Sequence, residues 1–540
     1  MANSNRCDFD STSNHQSDLL IALASEPNTG KLLARIVKEA QSITNADGGT
    51  LYLLKEYNDQ PCLEFAMMNN TSLGTTLGGA GEKINLPPIP LYLADGKENH
   101  HHVAAYSALK KEAVSIDDAY QSQGFDFSGT KIFDQNNGYR STSFLTVPLL
   151  NHNEDVIGVL QLINSQQPQS LKVQPFPEDS KALILALAKY AAIALNNSLL
   201  ISELKNLLDA FIKVIAAAID AKSPHTSGHC QRVPLITELI AQAACEDDQT
   251  FADFNFDDDQ WYELKVAAWM HDCGKLATPD SVLDKSTKLH ALHDRIHEVE
   301  TRFAAARQHL IANYWHARSS LSHADDTHVK HLEEQHQQDL AALEDDLSFI
   351  RTANKGGEFM AEDKKQRVQQ IAKRTWPDHQ GELQPMLNED EIYNLCIERG
   401  TLTNEERQII NNHMKVTIDM LESLPFPRKL KRVPEYAGGH HERMDGKGFP
   451  RGLTGEQLSI PARMMAIADI FEALTAKDRP YKDPMKISLS LKILKDMSQT
   501  GHIDPDLFNL FVRKRVWEQY AKQVLAPEQL DITDASEYLV

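Results

Sequence analysis

Between Leu183 and Ala218 the positions Leu183, Ala186, Tyr190, Ile193, Asn197, Leu200, Leu204, Leu207, Phe211, Val214 and Ala218 return at alternating steps of three and four. Five unbroken heptads of this kind predict one long helix with an apolar seam. Such a helix divides the chain, and its seam predicts a parallel homodimer in which the polar Asn197 fixes register at some cost in stability. The alternative, a helix packed on its own domain, stays open because the run Ala216–Ala218 also suits burial.

The 540 residues leave room for two or three domains, with ample apolar material for their cores. With 55 Lys and Arg against 76 Asp and Glu, the net charge of -21 argues against binding a nucleic-acid polymer or an anionic membrane surface. A small anionic substrate would have to be drawn in by local charge. The six cysteines at 7, 62, 230, 245, 273 and 396 show no paired spacing, which fits reduced thiols in a cytoplasmic protein. The N-terminus lacks the apolar core of a signal peptide. The most apolar run, Leu183–Leu195, is too short for a bilayer and carries Lys189, so no membrane span is expected.

Residues 1–16 are polar and expected to be disordered. From Ser17 to Thr44 helical spacing recurs, with Pro27 and Gly30 separating two helices. Asp47, Gly48 and Gly49 then turn into a strand at Leu51–Leu54, and Ser143–Leu150 with Val156–Asn164 predicts an antiparallel hairpin. This order resembles a GAF sensory domain. The resemblance implies an α+β domain over residues 17–180, a six-stranded antiparallel sheet flanked by helices, with a small-molecule pocket in members that bind a ligand. Asn164, Phe176, Glu178 and Asp179 echo the Asn-Lys-Phe-Asp-Glu constellation of cyclic-nucleotide-binding members, but Ser165 replaces the lysine. A dimerisation module is therefore the preferred reading of this domain. The triple histidine at 100–102 lies in a polar loop and is read as solvated. Residues 181–222 form the connecting helix.

Beyond it the sequence carries chemistry. His271-Asp272-Cys-Gly274-Lys275 follows an apolar helical run and joins one imidazole to one carboxylate, and a carboxylate can bridge two cations. Gly-Gly-His440-His441-Glu442-Arg-Met-Asp445-Gly446-Lys-Gly448-Phe449-Pro450 sets two imidazoles beside a Gly-rich turn. His229 and His413 lie between apolar helical runs, and Asp469 lies inside Ala-Ile-Ala-Asp-Ile-Phe.

Joined in this order, the motifs over residues 205–289 and 400–515 resemble the HD-GYP family, metal-dependent cyclic dinucleotide phosphodiesterases of the HD hydrolase superfamily. The resemblance implies an all-α domain over residues 223–515. It makes His229, His271, Asp272, His413, His440, His441 and Asp469 the metal ligands, with Asp272 bridging. Asp272 and Lys275 become the catalytic residues, and Lys275, Arg479 and Lys482 the phosphate contacts. Five imidazoles and two carboxylates suit two divalent transition ions, iron or manganese, better than calcium or magnesium. The implied reaction is attack on phosphorus by a bridging water that two cations make acidic.

Four departures stand out. Phe449 replaces the family tyrosine and keeps only an aromatic surface for a base. His225 stands where members with a third metal carry Glu, which speaks against a third metal and leaves His225 a lining residue or a ligand. One extra residue separates Asp469 from Arg479. Thr417 replaces a common glycine and reads as a tolerated helix change. The largest departure is an insertion at 290–399, where Ile296, Val299, Phe303, Ala306 and His331–Leu343 predict a charged helical hairpin closed by a polar loop at Ser319–Thr327. Its ten histidines are read as solvated helix faces. Leu507–Val524 predicts a terminal helix, and the tail 516–540 is expected to fray.

The function expected is hydrolysis of cyclic di-GMP to a linear dinucleotide or GMP, under control of the first domain. The alternatives are 3',3'-cyclic GMP-AMP as substrate, a catalytically silent dinucleotide receptor acting through a protein partner, and a mononucleotide hydrolase.

Overall fold

The computed structural model describes residues 26, 28–222, 228–321, 326–477 and 484–540. The chain divides into two compact units after Leu208. The expected disorder of residues 1–16 and the first of the two N-terminal helices lie outside the described residues.

In the first unit, α1 (Thr29–Thr44) precedes β1 (Ala46–Tyr57), β2 (Gln60–Asn70), β3 (Thr75–Gly78) and the two-residue β4 (Ile89–Pro90). Then come α2 (Val103–Lys110), β5 (Val114–Ile116), α3 (Ser128–Asn137), β6 (Phe144–Leu150), β7 (Val156–Gln166) and the short β8 (Val173–Gln174). The strands form one antiparallel sheet in the order β3-β2-β1-β7-β6-β5, with β4 on β2 and β8 on β7. The expected hairpin is β6–β7, registered Val147 to Leu160. Strand alternation explains the two layers. Leu51, Leu53, Leu160 and Leu162 meet Leu32, Ile36 and Val37 of α1 on one face. Tyr52 and Val159 meet Ala104, Ala105 and Ala108 of α2 on the other.

Helix α4 (Glu178–Lys222) runs 45 residues without a break. Near its start, Ile184, Leu187, Ala188, Ala191, Ala192 and Leu195 are buried in the α1 side of the sheet core. The eleven seam positions lie on a different face, and all are exposed, Leu204 to 66%. Among the described residues α4 alone is long and apolar enough to cross a bilayer by length and composition, yet its first turns are core of the GAF-like fold. The packed-on-its-own-domain alternative accounts for the buried face and leaves the seam without a cover.

The polar residues that echo a nucleotide-binding constellation serve the scaffold. Asn164 sits at φ 58°, accepts from the Thr142 and Ser143 amides through Oδ1, and donates to Tyr139 Oη and the Arg140 carbonyl. Ser165 Oγ donates to the Thr44 carbonyl, and Phe176 is buried among the α1-side residues. Of the triple histidine, His100 pairs with Glu98 and His101 is exposed, but His102 Nδ1 is buried, against the solvated reading.

Among the described residues the second unit is helical apart from one small hairpin. It comprises α5 (His229–Cys245), α6 (Asp258–Met270), a one-turn α7 (Asp280–Leu283), α8 (Ile296–Ser320), α9 (Asp326–Asn354), α10 (Glu362–Ala372) and α11 (Glu389–Leu395). After these follow α12 (Asn404–Asn411), α13 (His413–Ser423), α14 (Val433–Gly438), α15 (Ile460–Thr475), α16 (Ile487–Gln499), α17 (Pro505–Arg513) and α18 (Val516–Val524). Helices α8 and α9 pair as the expected hairpin of the insertion, whose tip at 322–325 is outside the described residues. The insertion has its own core of Val299, Phe303, Leu343, Leu347, Ile350, Val368 and Leu395. It also holds a strand pair, β9 (Thr375–Pro377) with β10 (Leu383–Pro385), too short to leave a period in the sequence.

The C-terminal segment departs from expectation. Instead of one helix and a frayed tail, α17 and α18 meet at Arg515, which takes φ 55°. Trp517 and Tyr520 are fully buried against α5 and α15 residues. Asn509 Nδ2 donates to the Val540 carbonyl and the Val540 amide donates back to Asn509 Oδ1, tying down the chain end. The tail is therefore part of the helical core, and Trp517→Ala is expected to lower stability by about 3–5 kcal/mol. Urea unfolding of the variant checks this; an unchanged midpoint would mean the tail is dispensable.

Candidate metal centre

Four of the five histidines of the centre sit where a helix begins or has just ended. His271 follows the last residue of α6, which opens on a capping box between Asp257 and Gln260. His413 opens α13, His440 follows α14, and His229 opens α5 after Gly228 at φ 80°. At these positions three imidazoles reach back to backbone carbonyls three residues earlier. His271 Nδ1 meets Ala268 O at 2.8 Å, His413 Nδ1 meets Ile410 O at 2.5 Å, and His440 Nδ1 meets Ala437 O at 2.6 Å. A carbonyl only accepts, so each Nδ1 carries the proton and each Nε2 presents its lone pair to the centre.

All seven residues predicted as ligands converge. Asp272, His413, His440 and His441 place one ligand atom each within 4.8 Å of one another, and His229, His271 and Asp469 do the same. Asp272 lies between the groups, with Oδ1 at 3.3 Å from His413 Nε2 and Oδ2 at 3.2 Å from His229 Nε2 and 3.3 Å from His271 Nε2. Asp469 Oδ1 stands 3.3 Å from His229 Nε2. Donors about 2.0–2.2 Å from a shared ion have this kind of mutual spacing. Among the described residues, Asp272 Oδ1, His413 Nε2 and His440 Nε2 are buried without a hydrogen-bond partner. Three such atoms in one place are costly unless a cation satisfies them, so the residues fit divalent metal binding.

The protonation states agree. Burial, together with the neighbouring imidazoles His441 and His271, holds His440 well below its usual range. Burial also brings His441 down to about 4. Burial opposes ionisation of Asp272 and Asp469, but Lys275 and the imidazoles around them keep both well below the usual carboxylate range. Burial likewise opposes a proton on His229, yet Asp272, Asp469 and Glu472 raise its affinity for one. A proton on Nε2 is there a substitute for a cation between carboxylates.

The remaining expectations fare differently. Lys275 Nζ lies 2.5 Å from Asp272 Oδ2, so it neutralises the shared carboxylate. Phe449 stacks on His441 at a ring-centroid distance of 4.8 Å, so one face of the expected base platform is taken by a ligand. Glu442, buried, accepts from the Arg451 and Leu453 amides and closes the Gly-rich loop. Asp445 pairs with Arg443 in the same loop. Gly448 is required there, because a Cβ would stand 2.4 Å from Glu442 Cα. Arg479, Lys482 and His225 lie outside the described residues. The described histidines of the insertion form no further three-ligand group.

Two features escaped the sequence reading. Thr417 is no neutral helix change, since its buried Oγ1 accepts from the Gly274 amide at 2.9 Å and pins the turn after Asp272 to α13. Glu472 and Arg232 back His229, Glu472 Oε2 at 2.5 Å from His229 Nδ1 and Oε1 accepting from Arg232 Nε at 2.7 Å. The signal for Glu472 was its place one turn after Asp469 in an otherwise apolar helix.

Residues 28–195 match the GAF domain family and residues 389–507 the HD domain family. The chain thus carries an N-terminal GAF domain and a helical HD domain. The HD match starts near the end of the insertion and includes His413, His440, His441 and Asp469. A 3'3'-cGAMP-specific phosphodiesterase of Vibrio cholerae is 36% identical over 127 residues, 24% of this chain and 28% of that protein. A second such enzyme of that organism is 39% identical over 110 residues, 20% of this chain and 23% of that protein. A cyclic di-GMP phosphodiesterase of Pseudomonas aeruginosa is 36% identical over 114 residues, 21% of this chain and 26% of that protein. The chain spans about a quarter of the length of these curated relatives.

The packing around Asp272 makes a sharp comparison. A Cβ at Gly274 would stand 2.0 Å from the His413 carbonyl, so Gly274→Ala must push the Asp272 turn off α13. Metal content after chelation and reloading is expected to collapse in that variant. Thr417→Val keeps the volume and strands one amide, and is expected to retain metal while losing about 1–3 kcal/mol in thermal or denaturant unfolding.

Proposed function

We propose that this GAF–HD chain is a metal-dependent phosphodiesterase that opens a cyclic dinucleotide, cyclic di-GMP or 3',3'-cyclic GMP-AMP, in the cytoplasm under control of its GAF domain. The observation that carries the reading is the position of Asp272 between two ligand groups, with its own Oδ1 and the Nε2 atoms of His413 and His440 buried without a hydrogen-bond partner, as a cation among them would require. His413, His440 and His441 would hold one ion with Asp272, and His229, His271 and Asp469 a second, iron or manganese by the nitrogen-rich donor set. Divalent ions in such a pair supply Lewis acidity and a water acidic enough to attack phosphorus.

The protein's own contribution is positional. Fixed tautomers aim the Nε2 lone pairs, and Lys275 compensates the charge of Asp272 and would face a phosphate oxygen of a substrate bound there. An ammonium in this partly dry cleft stabilises developing phosphoryl charge more than it would in water. The family resemblance adds Arg479 and Lys482, both outside the described residues, as phosphate contacts. Phe449 offers its free face to a base. These contacts recognise phosphate and a π-surface, which guanine and adenine dinucleotides share.

Metal-loaded protein assayed side by side on cyclic di-GMP and 3',3'-cyclic GMP-AMP tests the reading, with Asp272→Ala as control. Turnover that falls to background in the control is expected, and the ratio of rates names the substrate. Absence of turnover at full metal occupancy would favour the silent receptor.

The active assembly is proposed to be a parallel dimer through α4, whose exposed heptad seam accounts for the apolar face no other described element covers. Leu204→Glu combined with Leu207→Glu is expected to convert two chains to one in light scattering; a mass unchanged by the double variant would place the contact elsewhere.

A further inference from the structure

His229 differs from the three imidazoles whose Nδ1 is held by a helix carbonyl. It opens α5, and its Nδ1 meets the carboxylate of Glu472. That carboxylate is buried to 1% exposure, and its second oxygen is held by Arg232, one turn along α5 from His229. Glu472 lies one turn along α15 from Asp469. Thus α5 contributes a ligand and an arginine, and α15 a ligand and a carboxylate, in one cross-linked square. Gly228 leaves space for it, since a Cβ there would stand 2.7 Å from an Arg232 guanidinium nitrogen.

We propose that Glu472, held by Arg232, is a positioning residue for the metal position formed by His229, His271 and Asp469, and that it makes this position chemically unlike the one formed by His413, His440 and His441. A carbonyl fixes a tautomer; an ionised carboxylate also strengthens its imidazole as a donor and adds negative charge behind the ligand. Removal of Glu472 therefore weakens one of the two positions. The inference rests on the metal-centre reading and concerns the ligands alone, whatever the substrate.

The experiment counts manganese in purified full-length protein after dialysis and stepwise reloading, by elemental analysis and by titration followed in the Mn(II) electron paramagnetic resonance signal. Wild type is expected to hold two ions and Glu472→Ala one. Glu472→Gln, which keeps the volume and an acceptor oxygen, is expected to hold two, with one about 10–100-fold weaker. Adding His229→Ala to Glu472→Ala then removes nothing more, whereas adding His441→Ala removes the remaining ion. A merely structural role would not give that order. Two ions held at wild-type affinity in both Glu472 variants overturn the proposal. So does equal weakening of both ions in Glu472→Gln with an unchanged circular dichroism spectrum. A wild type that binds no manganese or iron would instead overturn the centre itself.

Discussion

The structure of the second unit depends on one carboxylate. Asp272 is 1% exposed, and against that burial Lys275 and the imidazoles of His271 and His229 keep it ionised. A charge so buried is tolerable only when it is compensated. His229, His271 and Lys275 meet Oδ2, while Oδ1, 3.3 Å from His413 Nε2, has no hydrogen-bond partner and is the oxygen a cation would satisfy. This condition places α5, α6, α13 and the loop after α14 around one point. It also explains the tight turn after Asp272, which only a glycine at 274 and an acceptor at 417 allow to lie directly on α13.

The insertion between His271 and His413 shows why such a centre survives a large interruption. Its ends are clamped close together. Lys285 Nζ donates to both oxygens of Glu406 and to Asn394, and Thr401 Oγ1 donates to the Lys285 carbonyl. Lys288, fully buried, donates to the Leu395 and Ile397 carbonyls, and burial brings its ammonium down to about 8. With the ends fixed, added chain length costs only a slowly growing closure entropy, and the private core around Phe303 and Leu347 repays the ordering of the rest. Arg302, bidentate to the buried Glu391, ties α8 to α11 inside that core.

Periodicity and residue type made most of this legible. The heptad steps located α4 and its exposed face, and the hairpin at 144–166 located the middle of the sheet. The seven candidate ligands were named through the family resemblance, which the motifs around His271, His440 and Asp469 carry. What sequence could not show was how side chains distribute among competing partners. Asn164 echoed a nucleotide-binding constellation, and its amide is saturated by residues 139–143, which precede the neighbouring strand. Lys275, expected as a phosphate contact, also lies 2.5 Å from Asp272, a pairing that spacing alone does not show. The tail around Trp517 looked terminal, and only three-dimensional packing shows that it closes the core.

Within the second unit, the last turns of α4 bear on the candidate centre without contributing one of its predicted ligands. Asp209 accepts from Tyr262 and Lys265 on α6, the helix that ends at His271. Asp220 accepts from the Gly228 amide at the start of α5, where a carboxylate also suits the helix dipole, and His229 is the next residue. Lys222 donates to the Leu276 carbonyl in the turn that follows Asp272 and Lys275. Three charged residues of one helix therefore hold the three segments that carry His271, His229 and Asp272. Because packed side chains tolerate little displacement, these contacts help fix where the three segments of the second unit lie relative to one another.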